Sequence, residues 1–486
     1  MKSLKGISVG ILDKYKYMAQ SAKAALWFTV CNFFLKGISF IANPIFTRLL
    51  SADEYGQLSI FMSYEQLMLI LATWSIQIGA YQKGIFKYKD DVELFTTATL
   101  CLINTITLIC FLFIFIFQRV IFEISGMTFT ILCVLFVYFW VQPAYECWLI
   151  RQRTKYKYHF AVAITIFYTI ANTLIPMGAL IVVAPTADVK FIFTIVSAIL
   201  ISLTFYCVSA KYWRLFQYLN KVKEYWKFLI YYQGPLVLHS LSYLVLGQVD
   251  RVMISVMVGK EQTAYYSVAY NLATVISILQ NSLNQSLLPW YYQMLSEKQY
   301  RKICRITNYL LCAIGGAILG YILLAPEVLH LLFTKSYYEA VWCIPPVSAS
   351  VYFQFLYTIF VNIETYFEKT KYVMYVSVIC GVINVILNYI CIDRFGYIAS
   401  GYTTLFSYIL FAVGHYIFME RTRKIEVPQV RILKASVILI ISLIVIFLSI
   451  GITMLYPFPL IRYGIILLLV ICVFISRKRF ISILDF

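Results

Sequence analysis

From residue 24 nearly to its C-terminus the chain alternates long apolar runs with short polar stretches. Each run is about 20 residues, enough to cross a hydrocarbon core of roughly 30 Å as a helix. Proline, glycine and charge breaks divide the runs into fourteen predicted spans: 24–48, 55–80, 94–117, 129–150, 159–182, 190–209, 228–257, 263–290, 304–325, 340–366, 372–392, 397–419, 434–455 and 462–476. Residues 1–23 are polar and basic. The run that follows is too long for a signal-peptide core and lacks a small-residue cleavage site, so it reads as an uncleaved first span.

Composition agrees with this pattern. The chain is 62% hydrophobic and 13% charged, where a soluble chain carries about a quarter charged residues. Its 40 tyrosines and 37 phenylalanines suit lipid-facing and interfacial positions. The predicted fold class is therefore an all-α polytopic membrane protein. Most of the twelve cysteines lie inside apolar runs, with no CxxC and no Cys/His spacing for a metal. They read as small buried hydrophobes, and no metal or cofactor is expected.

The net charge of +18 is spread between the apolar runs rather than gathered in one domain. It reports topology, not nucleic acid. With the N-terminus in the cytoplasm, 31 of the 40 lysines and arginines fall on the cytoplasmic side and 8 outside, and Lys36 lies within a span. Positive charge is retained on the cytoplasmic side of short loops, so this bias supports both the orientation and the span count. The C-terminus is then cytoplasmic too. The external segments are all short, which leaves no soluble domain.

The link "SADEYGQLSIF" from Ser51 aligns with "GKEQTAYYSVA" from Gly259: Asp53 meets Glu261, Gly56 meets Ala264 and Ser59 meets Ser267. These links occupy equivalent places in two sets of six spans. The expected organisation is a cytoplasmic N-terminus (1–23), an N-lobe (24–209), a basic linker (210–227), a C-lobe (228–419), a basic loop (420–433), spans 13 and 14 (434–476) and a cytoplasmic tail (477–486). Two pseudo-symmetric six-helix lobes with two added C-terminal helices would flank a central site and rock in alternating access.

Charges inside spans are expensive and are functional candidates by default. Lys36 lies about 18 Å into span 1, and Glu65 about 15 Å into the antiparallel span 2. The two can sit at similar depth, either as a buried ion pair or as a charged site on a wet cavity. Arg48 and the pair Asp250–Arg251 lie near external span ends, where they either snorkel or meet substrate. In span 8, Asn271, Thr274, Ser277, Asn281 and Asn284 share one helix face. That face bonds to other helices or lines a polar cavity suited to a hydroxyl-rich substrate. Gln77, Gln354, Asn362, Asn384 and Asn388 are further candidates for such a lining. Asn43-Pro44, Gln142-Pro143, Gly234-Pro235 and Pro345-Pro346 are predicted breaks. His239 and His415 read as packing residues, and Glu146 and Glu364 as interfacial.

No GxxxxGK[ST], GxSxG or HExxH motif is present, so the sequence supports neither an ATP-driven pump nor a metalloenzyme. If transport is ion-coupled, Glu65 or Asp250 is the candidate carrier. An integral-membrane glycan polymerase would need a sizeable external loop, which the chain lacks.

The segments "LKGISFIANPIFTRLLSADEYGQLSIF" (35–61) and "GQVDRVMISVMVGKEQTAYYSVAYNLATVI" (247–276) resemble the Wzx-type polysaccharide biosynthesis flippases. These belong to the multidrug/oligosaccharidyl-lipid/polysaccharide exporter superfamily. The resemblance implies a V-shaped pair of six-helix lobes and no enzymatic activity. It implies movement of undecaprenyl-diphosphate-linked oligosaccharide from the cytoplasmic to the periplasmic leaflet of the bacterial inner membrane, for O-antigen, capsule or exopolysaccharide. Membrane lipids, a polymerase and a chain-length regulator are the implied partners. Lys36, Arg48 and Arg251 are the residues that would meet the diphosphate, and spans 13 and 14 would hold the lipid tail. Few charges lie deep in the spans, which points to a largely neutral glycan. A small-molecule or multidrug exporter of the same superfamily is the alternative.

Overall fold

The computed structural model of the protein describes residues 20–367, 370–468 and 471. Of the expected N-terminal segment over 1–23, residues 1–19 lie outside the described residues, as does the tail over 477–486. The chain is helix and turn, with no strand among the described residues.

Thirteen long helices match the first thirteen predicted spans. They are α1 (Gln20–Leu49), α2 (Ala52–Thr73), α3 (Val92–Ile116), α4 (Phe129–Thr154), α5 (Tyr158–Val182), α6 (Ala187–Ser209), α7 (Leu219–Met257), α8 (Lys260–Ser296), α9 (Tyr300–Leu323), α10 (Ile344–Tyr366), α11 (Thr370–Phe395), α12 (Ile398–Glu426) and α13 (Ala435–Thr453). A further apolar helix, α14, covers Pro459–Leu468 at the start of the fourteenth span. Among the described residues, ten helices are long and apolar enough to cross a membrane. Neither α2 nor α8 is among them, and these two carry Glu65 and the asparagine stripe.

Local sequence explains the element ends. Thr128 and Thr186 accept from the backbone N–H groups of Ile131 and Val189, capping α4 and α6. Gly126, in the left-handed region at φ 72°, closes the short helix Gln118–Ser125. Pro44 and Pro143 sit inside α1 and α4. Pro345-Pro346 behaves differently from the expected break. The two prolines occupy the first turn of α10, where a missing N–H costs nothing, and a 3-10 helix, Lys335–Trp342, precedes them. Span 2 also departs from expectation. It ends as a helix at Thr73, and residues 74–79 form a turn before the short helix Ala80–Lys87.

The chain divides into two compact units. The first holds the described residues up to Leu50 together with Ile60–Leu241; the second holds Ser51–Ser59 and the described residues from Ser242 onward. The boundary therefore falls inside α7, and the 210–227 linker belongs wholly to the first unit. In the first unit α1 packs on α5, and α6 packs on both α4 and α5. The linker is clamped there too: Lys211 and Arg214 pair with Glu93 at 3.1 and 2.9 Å, and Lys221 pairs with Asp91 at 2.6 Å. In the second unit α12 packs on α10 and α11, α8 packs on α10, and α9 packs on α13. There Arg462 pairs with Glu327 at 2.7 Å. These inter-element pairs join segments that the charge count assigns to the same face of the membrane. Hydroxyls within the spans bond back to their own helix, as Thr99 does to Phe95 O at 2.8 Å and Ser449 to Val445 O at 2.6 Å. This satisfies them where water is absent.

The two links aligned as a repeat meet each other in the second unit. A Cβ at Gly56 would lie 1.8 Å from the Lys260 carbonyl oxygen. Only glycine permits that approach. Gly56→Ala is expected to destabilise the protein by at least about 2 kcal/mol, read as a fall in the unfolding temperature of the detergent-purified chain. An unchanged unfolding temperature would show that the two links do not pack this closely.

Candidate functional site

Asp250, on α7, is fully buried and is the centre of a polar cluster within the second unit. Its Oδ2 accepts from the Tyr266 hydroxyl of α8 and from the Thr404 hydroxyl of α12, each at 2.6 Å. Its Oδ1 accepts from Asn388 Nδ2 of α11, also at 2.6 Å. Asn388 in turn donates to Asn384 Oδ1 at 3.2 Å and accepts from Thr403, and Asn384 donates to Ser407 at 3.1 Å. The spacing of Asn384 and Asn388 puts both amides on one face of α11, and adjacent Thr403 and Thr404 both reach the cluster from α12.

Arg251, the next residue, does not join that carboxylate. It is buried, donates to Gly247 O at 2.9 Å and to Gln248 Oε1, and lies 4.5 Å from the centre of the Tyr270 ring. The three donors replace waters that this carboxylate loses on burial. The same oxygens can also hold a proton or an alkali cation.

The other predicted residues are dispersed. Lys36 and Arg48 on α1 are exposed. The expected contact of Lys36 with Glu65 does not form. α1 packs on α5, which carries Lys36 away from α2. The basic group whose charge reaches Glu65 is Lys190 of α6, which also lies over the Phe46 ring at 4.8 Å.

The asparagine stripe divides along α8. Asn271 donates to the Tyr55 hydroxyl at 3.0 Å, Asn284 accepts from Asn362 at 2.8 Å, and Asn281 between them is exposed. Two ends of the stripe thus fasten the second unit, and only its middle is open.

Glu364 and Glu146 correct the expectation of interfacial residues. Glu364 is fully buried on α10, 3.1 Å from His415 Nδ1 of α12. Glu146 accepts from Gln142 at 2.6 Å, and its Oε2 is buried. Both are drawn inside by neighbouring polar side chains rather than released to the headgroups. The side chain of His239 lies outside the described residues. Among the described residues no group of three or more His, Cys, Asp or Glu could hold a metal ion.

The polysaccharide biosynthesis protein family model matches residues 21–295. The chain belongs to this family. The MatE model also matches residues 235–390. Protein 1 of the Lsg locus of Haemophilus influenzae is 24% identical over 370 residues, covering 72% of this chain and 86% of that one. Among solved structures, the lipid II flippase MurJ in an inward closed conformation is similar, with TM-score 0.66 and 13% identity over 94% of this chain and 100% of that one. A mutant of the Vibrio cholerae MATE transporter VcmN is similar with TM-score 0.56 and 11% identity over 84% of this chain and 97% of that one. This family member therefore has the polytopic fold of flippases and transporters, not of enzymes, and is a multi-pass membrane protein.

Asp250→Ala strands three buried donors and is expected to cost at least about 3 kcal/mol. Asp250→Asn keeps the shape and one acceptor and costs markedly less. Thermal unfolding of the two purified variants checks this ordering, and equal effects would contradict the network.

Proposed function

We propose that the protein flips undecaprenyl-diphosphate-linked oligosaccharide repeat units from the cytoplasmic to the periplasmic leaflet of a bacterial inner membrane. The units feed a surface polysaccharide: O-antigen, capsule or exopolysaccharide. Membership of a polysaccharide biosynthesis family carries this reading, together with a chain that is nearly all membrane helix. The lipid tail stays in hydrocarbon during such a transfer, while the charged, hydroxyl-rich headgroup needs a polar route. Alternating access of two lobes, the N-lobe over 24–209 and the C-lobe over 228–419, supplies that route, and spans 13 and 14 hold the tail. Both termini are cytoplasmic in this reading, which the lysine and arginine bias supports. A polymerase and a chain-length regulator are the partners that would receive the product.

Lys36 and Arg48 are the exposed cations fit for the diphosphate. Twelve residues separate them, about 18 Å along α1. They therefore serve successive positions of one headgroup rather than a single clamp. Exposed Asn281 suits sugar hydroxyls, and Glu65 sets the charge balance on the neighbouring span. Arg251, held by Gln248 and Gly247, positions the end of α7. Asn271 and Asn284 hold α8 in place. Asp250 is the seat for a coupling proton or alkali cation.

The MatE match over 235–390 favours a second reading, export of a small molecule. Deletion in the source bacterium separates the two. The flippase reading predicts lipid-linked glycan trapped on the cytoplasmic face and loss of the surface polymer. Normal polymer with altered drug resistance favours the exporter. Lys36→Ala is expected to leave membrane abundance and stability within about 0.5 kcal/mol of wild type, since the residue is exposed, while lowering polymer export. Export at the wild-type level would remove Lys36 from the route.

A further inference from the structure

In the second unit, the turn before α9 and the loop before α13 meet around a cavity of about 850 Å³. Both segments lie on the side that the charge count assigns to the cytoplasm. Lys298, Tyr300, Arg301, Lys302 and Arg305 line the cavity from the α9 side, and Val430 lines it from the loop. Every charged residue of the lining is basic. The loop is held in shape by Arg423 of α12, which is buried. Its Nη1 donates to the carbonyls of Val427, Pro428 and Val430 at 3.2, 3.3 and 3.0 Å. Its Nε and Nη2 donate to Glu420 at 2.8 and 2.6 Å. Ile432 and Leu433, both buried, pin the chain just beyond.

The positive charge here is not balanced by the protein. Lys298, Arg301 and Arg305 are exposed and make no ion pair among the described residues. Glu297 accepts instead from Gln293 at 2.8 Å, and Glu420 is taken by Arg423. The first turn of α9 has no acidic residue and its N-cap makes no side-chain bond. Cations at that end stand against the helix dipole, which favours anions there. An anion in the cavity relieves the repulsion among three like charges and meets the open N–H groups of the helix start.

The surface deeper along α9 indicates which anion. Arg301 and Arg305 are four residues apart and share a helix face. The same exposed face continues through Tyr309, Cys312 and Gly316. On α13, which packs on α9, Leu439 and Ile440 are also exposed. Both helices are long and apolar enough to cross a membrane. Their exposed sides run from cations at headgroup level to apolar surface at the depth of acyl chains. A soluble phosphate would use only the first part of this surface, whereas a phospholipid uses all of it.

We propose that the cavity binds the phosphate-bearing headgroup of an anionic phospholipid of the bilayer, with an acyl chain along the exposed stripe of α9. Basic pockets at the cytoplasmic ends of membrane helices suit such headgroups, because lysine and arginine near the surface attract anionic lipid. The site is separate from the Asp250 cluster, and it does not depend on which substrate is moved.

The test titrates the full-length, detergent-purified protein with a fluorescent phosphatidylglycerol and with a phosphatidylcholine of the same tails. The wild type is expected to bind phosphatidylglycerol about tenfold more tightly or better. Arg301→Gln combined with Arg305→Gln is expected to abolish that preference. Lys155→Gln combined with Lys157→Gln, which removes two exposed cations from the α4–α5 turn of the first unit, is expected to keep it. A millimolar excess of inorganic pyrophosphate is expected to leave the lipid bound. Should the arginine double variant fail to fold, Lys298→Gln decides, with the preference reduced about threefold or more. Equal affinity of the wild type for the two lipids overturns the proposal. So does an equal loss in the two double variants, which makes the preference a diffuse effect of basic loops. Displacement by pyrophosphate assigns the cavity to a soluble phosphate and overturns it too.

Discussion

A polar atom at membrane depth has no water to bond with, so each one must find a partner in the protein. Asp250 is where that constraint acts most strongly. Its carboxylate draws Tyr266 from α8, Asn388 from α11 and Thr404 from α12 onto α7. Satisfying one charge therefore fixes four helices of the second unit against each other. The same constraint explains the hydroxyls that bond back to their own helices and the asparagines of α8 that reach Tyr55 and Asn362. Apolar packing could hold these helices together without any of this. The polar residues set which faces meet.

The first unit answers the constraint with other pairs. Glu65 has only the more distant charge of Lys190, and Glu146 has one firm donor in Gln142. Gln77 is buried in the same unit, beneath a turn that Gln233 holds in place. Both units also keep buried polar atoms without a bond, among them Glu146 Oε2 in the first and Glu364 Oε1 in the second.

Much of the fold could be read from apolar run lengths and from lysine and arginine placement, because both follow directly from the bilayer's thickness and charge asymmetry. The break in span 2 could not. Residues 74–79 are apolar enough to continue a helix, and what stops them is a glutamine 159 positions away in sequence. Individual candidate residues were visible as anomalies, since a lysine or aspartate in an apolar run stands out. Their partners were not. Depth alone made Glu65 a neighbour for Lys36, yet helix packing turned α1 toward α5. Asp250 was visible, but Thr403 and Thr404 looked like ordinary small polar residues of a span. Glu146 and Glu364 lay close enough to helix ends to read as interfacial, and burial beside Gln142 and His415 overrides that position.

Function rests on a different kind of evidence from fold. Family membership ties the chain to polysaccharide biosynthesis, and the proposed role of exposed Lys36 and Arg48 on α1 is to meet the diphosphate. The most direct measurement uses the purified protein in liposomes that carry a polyprenyl-diphosphate-linked oligosaccharide. A membrane-impermeant glycosidase or lectin reports how much of the glycan is exposed on the outer leaflet over time. The account predicts that glycan placed in one leaflet becomes accessible in the other only when the protein is present, and more slowly with Lys36→Ala. Transfer no faster than in protein-free liposomes would contradict it.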